Sequence, residues 1–354
     1  MNIRDVSDKA GVSPATVSRV FNAPLTVRPQ LRERVQAAAL VLGYRPNTSA
    51  RSLRTQRTRA LGVVLPTLLN PVFAECLQGI AQAAMAGGYS IVPITTDYDI
   101  AHETRAADLL LARGVDALIL CVANAARSAV LARLRAAKAA YVLVYNRHAS
   151  HPCVSVDGGA AVTTLVAMLH ALGHRRILMV SGMLATSDRA QQRHQGYLRG
   201  MQLAGLKPQL LEVPFMDGAT ERIAAYLAAH RATPLAPTAL VCSNDLLAIR
   251  SVRAAHQVGL QVPHELSVAG FDGITLGEDL TPALSTIVQP NAEIGRRSVE
   301  LLVQALAAAT PLRSAASVTL DLHFRDGESI AESPSLPTAL APALSPSNPR
   351  RREP

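Results

Sequence analysis

The first 22 residues, MNIRDVSDKAGVSPATVSRVFN, constrain this chain most, because they describe two short helices joined by a tight turn. Ile3, Val6 and Ala10 recur at helical spacing and can face a small core. Gly11 is free to take the left-handed turn conformation, Ser13 is a good N-cap, and Pro14 suits the first helical position. Val17 and Val20 then point inward, which leaves Ala15, Thr16, Ser18 and Arg19 outward. A DNA major groove admits one α-helix, and a helix-turn-helix pairs such a reading helix with a brace. The plainer alternative is a helical hairpin with a polar face.

Charge separates the two. Residues 1–59 carry 11 Lys/Arg against 3 Asp/Glu, whereas residues 60–332 carry 21 against 22. The net charge of +9 therefore belongs to the ends, and a basic head on a near-neutral body reads as a polyanion-binding module attached to something else. The head has no Trp and no broad apolar face, which speaks against a membrane surface. No run of 18 residues is apolar throughout, and the N-terminus lacks a secretion-signal pattern. Cys76, Cys121, Cys153 and Cys242 are far apart, as expected of reduced core residues in a cytoplasmic protein.

A third helix is expected from Pro29 to Leu42, ended by Gly43. Beyond it, Asn47 could cap a short helix over residues 47–56 that carries Arg51, Arg54 and Leu53. A helix of that length is marginal alone and would need DNA or a partner to form. A leucine flanked by arginines suits insertion between base steps, although a solvated basic linker fits the spacing equally well.

Asp5-Val6, Ala10-Gly11-Val12-Ser13, Thr16-Val17-Ser18-Arg19-Val20, Asn22, Gly43-Tyr44-x-Pro46-Asn47 and Ala50-x-x-Leu53 together resemble the lactose/galactose-repressor (LacI/GalR) family of bacterial transcription regulators. The resemblance continues to about residue 325. It implies that Pro14, Ala15 and Arg19 approach base edges and that Leu53 is a minor-groove wedge. Further residues expected at the DNA are Ile3, Ser13, Thr16, Ser18, Asn22 and Thr26 in the head, with Asn47, Ala50 and Arg51 in the linker. One departure is Val27-Arg28-Pro29, where the family has a Ser cap.

From Arg59 onward, short apolar strands alternate with amphipathic helices in two series, the pattern of parallel sheets covered on both faces. The expected fold is a small all-α helix-turn-helix head plus an α/β two-lobed, periplasmic-binding-protein-like core of two doubly wound sheets. The expected divisions are a head at 1–46, a hinge at 47–58, a core at 59–330 and a Pro-rich basic tail at 331–354. Lobe one would hold 59–156 and 288–318, and lobe two 157–287 and 319–330. The resemblance implies three crossings between lobes, near 155–159, 286–291 and 317–321, with effectors bound in the cleft between them.

Ligands of such sheets sit at the carboxyl ends of strands. The candidates are Asn70 and Phe73 after the first strand, Asp157 at a crossing, Arg189 and Arg193 after strand 176–180, and Asn244 and Asp272 after their own strands. The resemblance makes Asp157, Arg193, Asn244 and Asp272 effector contacts, and puts Phe215 or Met216 at an aromatic position. A polyol wants this mixture of amides, carboxylates, an arginine fork and a ring. Asn70, Asp245 and Asp272 could equally be plain helix caps, and Arg193 the partner of a buried acid. The run from Val64 to Ile80 is similar to the gluconate-operon branch, and the paired arginines would suit a sugar acid.

The expected function is therefore a sequence-specific DNA-binding regulator, a repressor, controlled by a sugar or sugar acid. Its partners would be double-stranded DNA with a pseudo-palindromic operator, the effector, and a second copy in a homodimer, with no membrane, metal or cofactor. The alternative is a helix-turn-helix protein with a sugar-kinase-like or carrier-type body. Only a lone Asp157-Gly158-Gly159 favours the kinase, and no P-loop, G-x-S-x-G or H-E-x-x-H is present. His148, His151, His170 and His174 read as surface or loop residues. From Ser333 the tail holds 6 prolines in 22 residues and is expected to be disordered, without tetramerising leucine heptads.

Overall fold

The computed structural model describes residues 1–44, 57–215 and 217–334. Two compact units divide the chain, residues 1–60 with 114–116, and 61–113 with 117 onward. The expected hinge helix at 47–56, with Asn47, Ala50, Arg51 and Leu53, lies outside the described residues, as do Met216 and the tail from 335.

The first unit is a three-helix head, α1 (Ile3–Ala10), α2 (Pro14–Asn22) and α3 (Pro29–Val41). Local chemistry sets its ends. Asn2 and Asp5 form a reciprocal capping box on α1, and Gly11 ends it at φ 61°. Ser13 Oγ accepts from Thr16 N at 3.2 Å, with Pro14 at the first helical position of α2. α3 starts on Pro29 with no side-chain cap at Arg28, as the missing serine implied. Val6, Val17, Val20 and Val35 close the core.

In the second unit, lobe one is built on β1 (Ala60–Leu65), α4 (Pro71–Ala86), β2 (Ser90–Thr95), α5 (Ile100–Ala112), β3 (Ala117–Leu120), α6 (Ala129–Ala136), β4 (Tyr141–Val144) and β5 (Cys153–Val156). Lobe two follows with α7 (Gly158–Ala171), β6 (Ile177–Ser181), α8 (Asp188–Leu203), β7 (Gln209–Glu212), α9 (Ala219–His230), β8 (Ala239–Cys242), α10 (Asp245–Gln257), β9 (Ser267–Asp272) and β10 (Ser285–Val288). The chain then returns to lobe one with α11 (Asn291–Ala307) and β11 (Val318–Leu320), and ends in lobe two with β12 (His323–Arg325).

The strand orders are β11-β5-β4-β3-β1-β2 and β12-β10-β9-β8-β6-β7, with β12 antiparallel to β10. The lobes are thus joined at three places, residue 157, residues 289–290 and residues 321–322. Two expected boundaries shift. Val288 still pairs with Asp272 in the second sheet, and Thr319 and Leu320 pair with Ser155 and Val156 in the first.

Each lobe contains one helix crossing so close that glycine is required. Within lobe one a Cβ on Gly79 of α4 would lie 2.0 Å from Ala292 O, and one on Gly295 of α11 would lie 2.1 Å from Cys76 O. Within lobe two a Cβ on Gly196 of α8 would lie 2.1 Å from Gly159 O of α7. All four cysteines are buried and free.

One boundary and one detail of the sequence reading change. The tail does not leave the body at 330, since Ser333 N donates to Leu172 O at 2.8 Å. His174 and His151 lie in loops but are buried rather than superficial. His174 Nε2 lies 3.0 Å from Ala331 O, which can only accept, so this nitrogen carries the proton and Nδ1 accepts from the Thr238 hydroxyl at 3.0 Å. Among the described residues, no helix is long and apolar enough to cross a membrane.

Candidate DNA-reading surface and effector cleft

Ala15, Ser18, Arg19 and Asn22 recur at 3–4-residue spacing on α2 and share its outer face. Pro14, Ala15, Arg19 and Asn22 are exposed, while Thr16 and Ser18 are half-buried. Several candidate polar groups are already engaged. Asn22 Nδ2 donates to Ser18 O at 2.7 Å, Ser13 Oγ lies 3.0 Å from Thr16 Oγ1, and Thr26 Oγ1 donates to Ala23 O at 2.7 Å. Ile3 is half-buried and packs against the head's core, as its helical spacing implied. Arg19 has the longest reach on this face.

The second unit opens a cleft between its lobes at the carboxyl ends of the strands. Asn70 and Phe73 reach it from the start of α4, and Tyr98 and Tyr145 from the turns after β2 and β4. Lobe two supplies Arg189 and Arg193 from the start of α8, Phe215 after β7, Asn244 after β8 and Asp272 from the end of β9. Gln289 enters from the middle crossing. All the candidate effector residues except Asp157 therefore line one cleft.

Asp157 is not among the residues that line this cleft. It caps α7, its Oδ1 accepting from Ala160 N at 3.0 Å, and its other oxygen pairs with Arg147. That cap sets the start of α7 at Gly158. The helix-cap role also holds for Asn70, whose Oδ1 accepts from Val72 N at 3.3 Å, and for Asn244, whose Oδ1 accepts from Leu247 N at 2.9 Å. In those two cases the capping oxygen is engaged while the residue still lines the cleft.

Arg193 is the hub of the lobe-two wall. Its Nη1 donates to Ser243 O, its Nη2 lies 3.6 Å from Asp272 Oδ1, and its guanidinium stacks 3.8 Å over the Phe271 ring. Gln289 Nε2 donates to Asp272 Oδ1 at 2.8 Å. Burial pushes the Asp272 carboxyl up to about 7, against the pull of Arg193 and of hydrogen bonds from Asn70 and Gln289, while the Asp245 charge adds to the rise. Desolvation likewise raises Asp245 and lowers Arg193.

The lobes also touch directly. Asp188 N donates to Ala123 O at 2.8 Å, and its carboxylate accepts from Ala125 N at 3.0 Å and Asn146 Nδ2 at 2.9 Å. Tyr98 (φ 61°), Tyr145 (φ 67°) and Asp272 (φ 129°) hold the positive φ that non-glycine residues avoid, and such strain gathers at functional sites. Sequence reasoning missed Tyr98, Tyr145 and Gln289. The rule that found the others, a polar or aromatic residue just after a strand, also covers both tyrosines. Tyr98 and Phe215 bring their rings to 5.7 Å across the cleft.

A helix-turn-helix head joined to a two-lobed body, with a polar and aromatic cleft at its strand ends, defines a ligand-responsive DNA-binding regulator. Residues 2–47 match the family model of bacterial regulatory proteins of the lacI family, and residues 58–324 that of periplasmic binding proteins and the sugar-binding domain of the LacI family. The chain belongs to the LacI family. It is 30% identical to catabolite control protein A of Priestia megaterium over 92% of this chain and 98% of that one. It is 32% identical to the ribose operon repressor of Haemophilus influenzae, covering 85% and 91%. Its fold matches the lac repressor dimer bound to operator and the anti-inducer ONPF, with a TM-score of 0.82 at 24% identity, over 94% of this chain and 99% of that one.

Proposed function

We propose that the chain is an operator-binding repressor whose grip on DNA is set by a small polyol effector held between the lobes. The observation that carries this reading is the pairing, in one chain, of a solvated α2 face bearing Arg19 with a cleft that gathers Asn70, Phe73, Arg193, Asn244 and Asp272. Arg19 is the principal base reader, because Pro14 and Ala15 offer only apolar contact and Asn22 is tied to Ser18. In this reading residues 1–46 form the reading head. Residues 47–58 form a hinge whose Asn47, Ala50 and Arg51 meet the DNA and whose Leu53 is the wedge.

Two copies act as a dimer on a pseudo-palindromic operator, since two-fold protein symmetry is mirrored in the site. An effector moves operator affinity only through its differential affinity for two lobe arrangements, a coupling of ~1–3 kcal/mol. The body binds its ligand without transforming it, so the kinase-like alternative requires sugar-dependent ATP turnover. The test is genome-wide mapping of bound sites, followed by anisotropy titration of the recovered palindromes with and without sugars. The absence of preference for any palindrome over random duplex overturns the proposal.

A further inference from the structure

Arg189 lines the cleft from lobe two, yet its Nη1 donates to Val122 O of lobe one at 2.7 Å. The residue is only 8% exposed. Its other terminal nitrogen, Nη2, is buried and has no hydrogen-bond partner among the described residues. A guanidinium has donors only, and a buried donor left unmatched carries its full desolvation cost. An orphaned donor on a cleft-lining residue is therefore a place for a ligand's acceptor.

The neighbouring acids do not fill it. Asp188 lies 3.3 Å from Nη1, and its oxygens are held by Ala125 N and Asn146 Nδ2. Glu103 Oε1 accepts from Ala123 N at 2.6 Å. Arg193 lines the same cleft, close enough to feel the Arg189 charge, and is itself occupied by Ser243 O and Asp272. Two buried guanidinium groups this close repel, and an anionic acceptor on the open nitrogen relieves both. The cleft also holds a matching orphan of the opposite kind. Gln289 Nε2 is fixed by its bond to Asp272, which leaves Oε1 buried and unpartnered, an acceptor suited to a hydroxyl.

We propose that the effector is a polyol bearing a carboxylate, with the acid seated on Arg189 Nη2 and a hydroxyl donating to Gln289 Oε1. This rests on the cleft being the effector site. One unpartnered nitrogen can meet one oxygen of a carboxylate, which leaves a single oxygen to be matched elsewhere, whereas a phosphate would leave more in this buried corner. Because Nη1 holds lobe one while Nη2 takes the acid, one side chain both reads the ligand and ties the lobes together.

The test is calorimetry on the full chain with D-gluconate against D-glucitol, D-ribonate against D-ribitol, and D-glucose 6-phosphate as the phosphate arm. At least one acid should bind about tenfold or more tighter than the alditol of the same skeleton, and tighter than the phosphate. Arg189→Gln should erase that preference, bringing the acid-to-alditol ratio of Kd values close to one, with a thermal melt reporting on folding. If the variant does not fold, the wild-type acid-to-alditol ratio still decides the matter. An alditol or phosphate that binds as well as the acids, or a preference that survives in a folded Arg189→Gln, overturns the carboxylate assignment. Operator titration in the same samples separates the two readings. A neutral polyol that alters operator affinity leaves the effector cleft standing and sinks only the acid, whereas operator binding unaffected by any probe, with no heat from any, overturns both.

Discussion

Replacing Arg193 with methionine keeps much of the stem over the Phe271 ring but deletes the charge 3.6 Å from Asp272. Burial holds the Asp272 carboxyl at about 7, against an ordinary 3.8, and Arg193 is the strongest influence restraining the rise. Without Arg193 the folded-state value climbs above 7. Between the unfolded and folded values the native chain holds a proton that the unfolded chain has lost, so stability falls as pH rises. In the wild type that fall ends near pH 7. In Arg193→Met it continues to the variant's higher value, so the stability gap between the two proteins widens above pH 7 by about 1.4 kcal/mol per pH unit. At pH 6, where Asp272 is largely protonated in both, the gap reduces to the lost bond to Ser243 O and altered packing, about 1–3 kcal/mol. Urea unfolding followed by far-UV circular dichroism at pH 6.0, 7.5 and 9.0 reads the effect; the chain has no tryptophan. Parallel stability curves for the two proteins would refute the reasoning.

Three further outcomes are expected. Arg19→Ala should weaken operator binding by about 10–100-fold and relax base preference at its contact, as read by anisotropy against a panel of single-base operator variants. Leu53→Ala should weaken operator binding in a gel-shift titration while calorimetry finds the effector Kd unchanged; undiminished operator affinity would reject the wedge. Burial keeps the neutral His174 ring below its usual value of 6.5, so its contribution to stability is present above pH 6.5 and is lost as pH falls toward the folded-state value. His174→Gln should flatten that acid limb in thermal melts between pH 5 and 7.

The head was legible in the sequence because its determinants are local. Gly11, Ser13 and Pro14 act within four residues of one another, and the valine spacing declares which side is buried. The two-lobed body was legible as alternating strands and helices. The strands β5, β10, β11 and β12 were not, since their pairing is set by distant partners. In the cleft, Arg193 and Asp272 announced themselves by following strands. Asp157 obeyed the same rule but is not among the residues lining the cleft, because an aspartate before Gly-Gly signals a helix cap as readily as a ligand contact. Gln289 carries no local signal at all. Its place depends on the second sheet and α11 meeting, which only the folded topology decides.

The glycine seams within the lobes bear on how this molecule can move. Where one helix rests on another's bare peptide groups, with no side chain between to rotate or slide, neither half has slack to absorb a push from the cleft. Any such push passes outward to the three thin straps at 157, 289–290 and 321–322, and to the direct contact of Asp188 with Ala123, Ala125 and Asn146. The body should thus behave like two stiff covers on a narrow spine, passing on a ligand's small displacement rather than dissipating it.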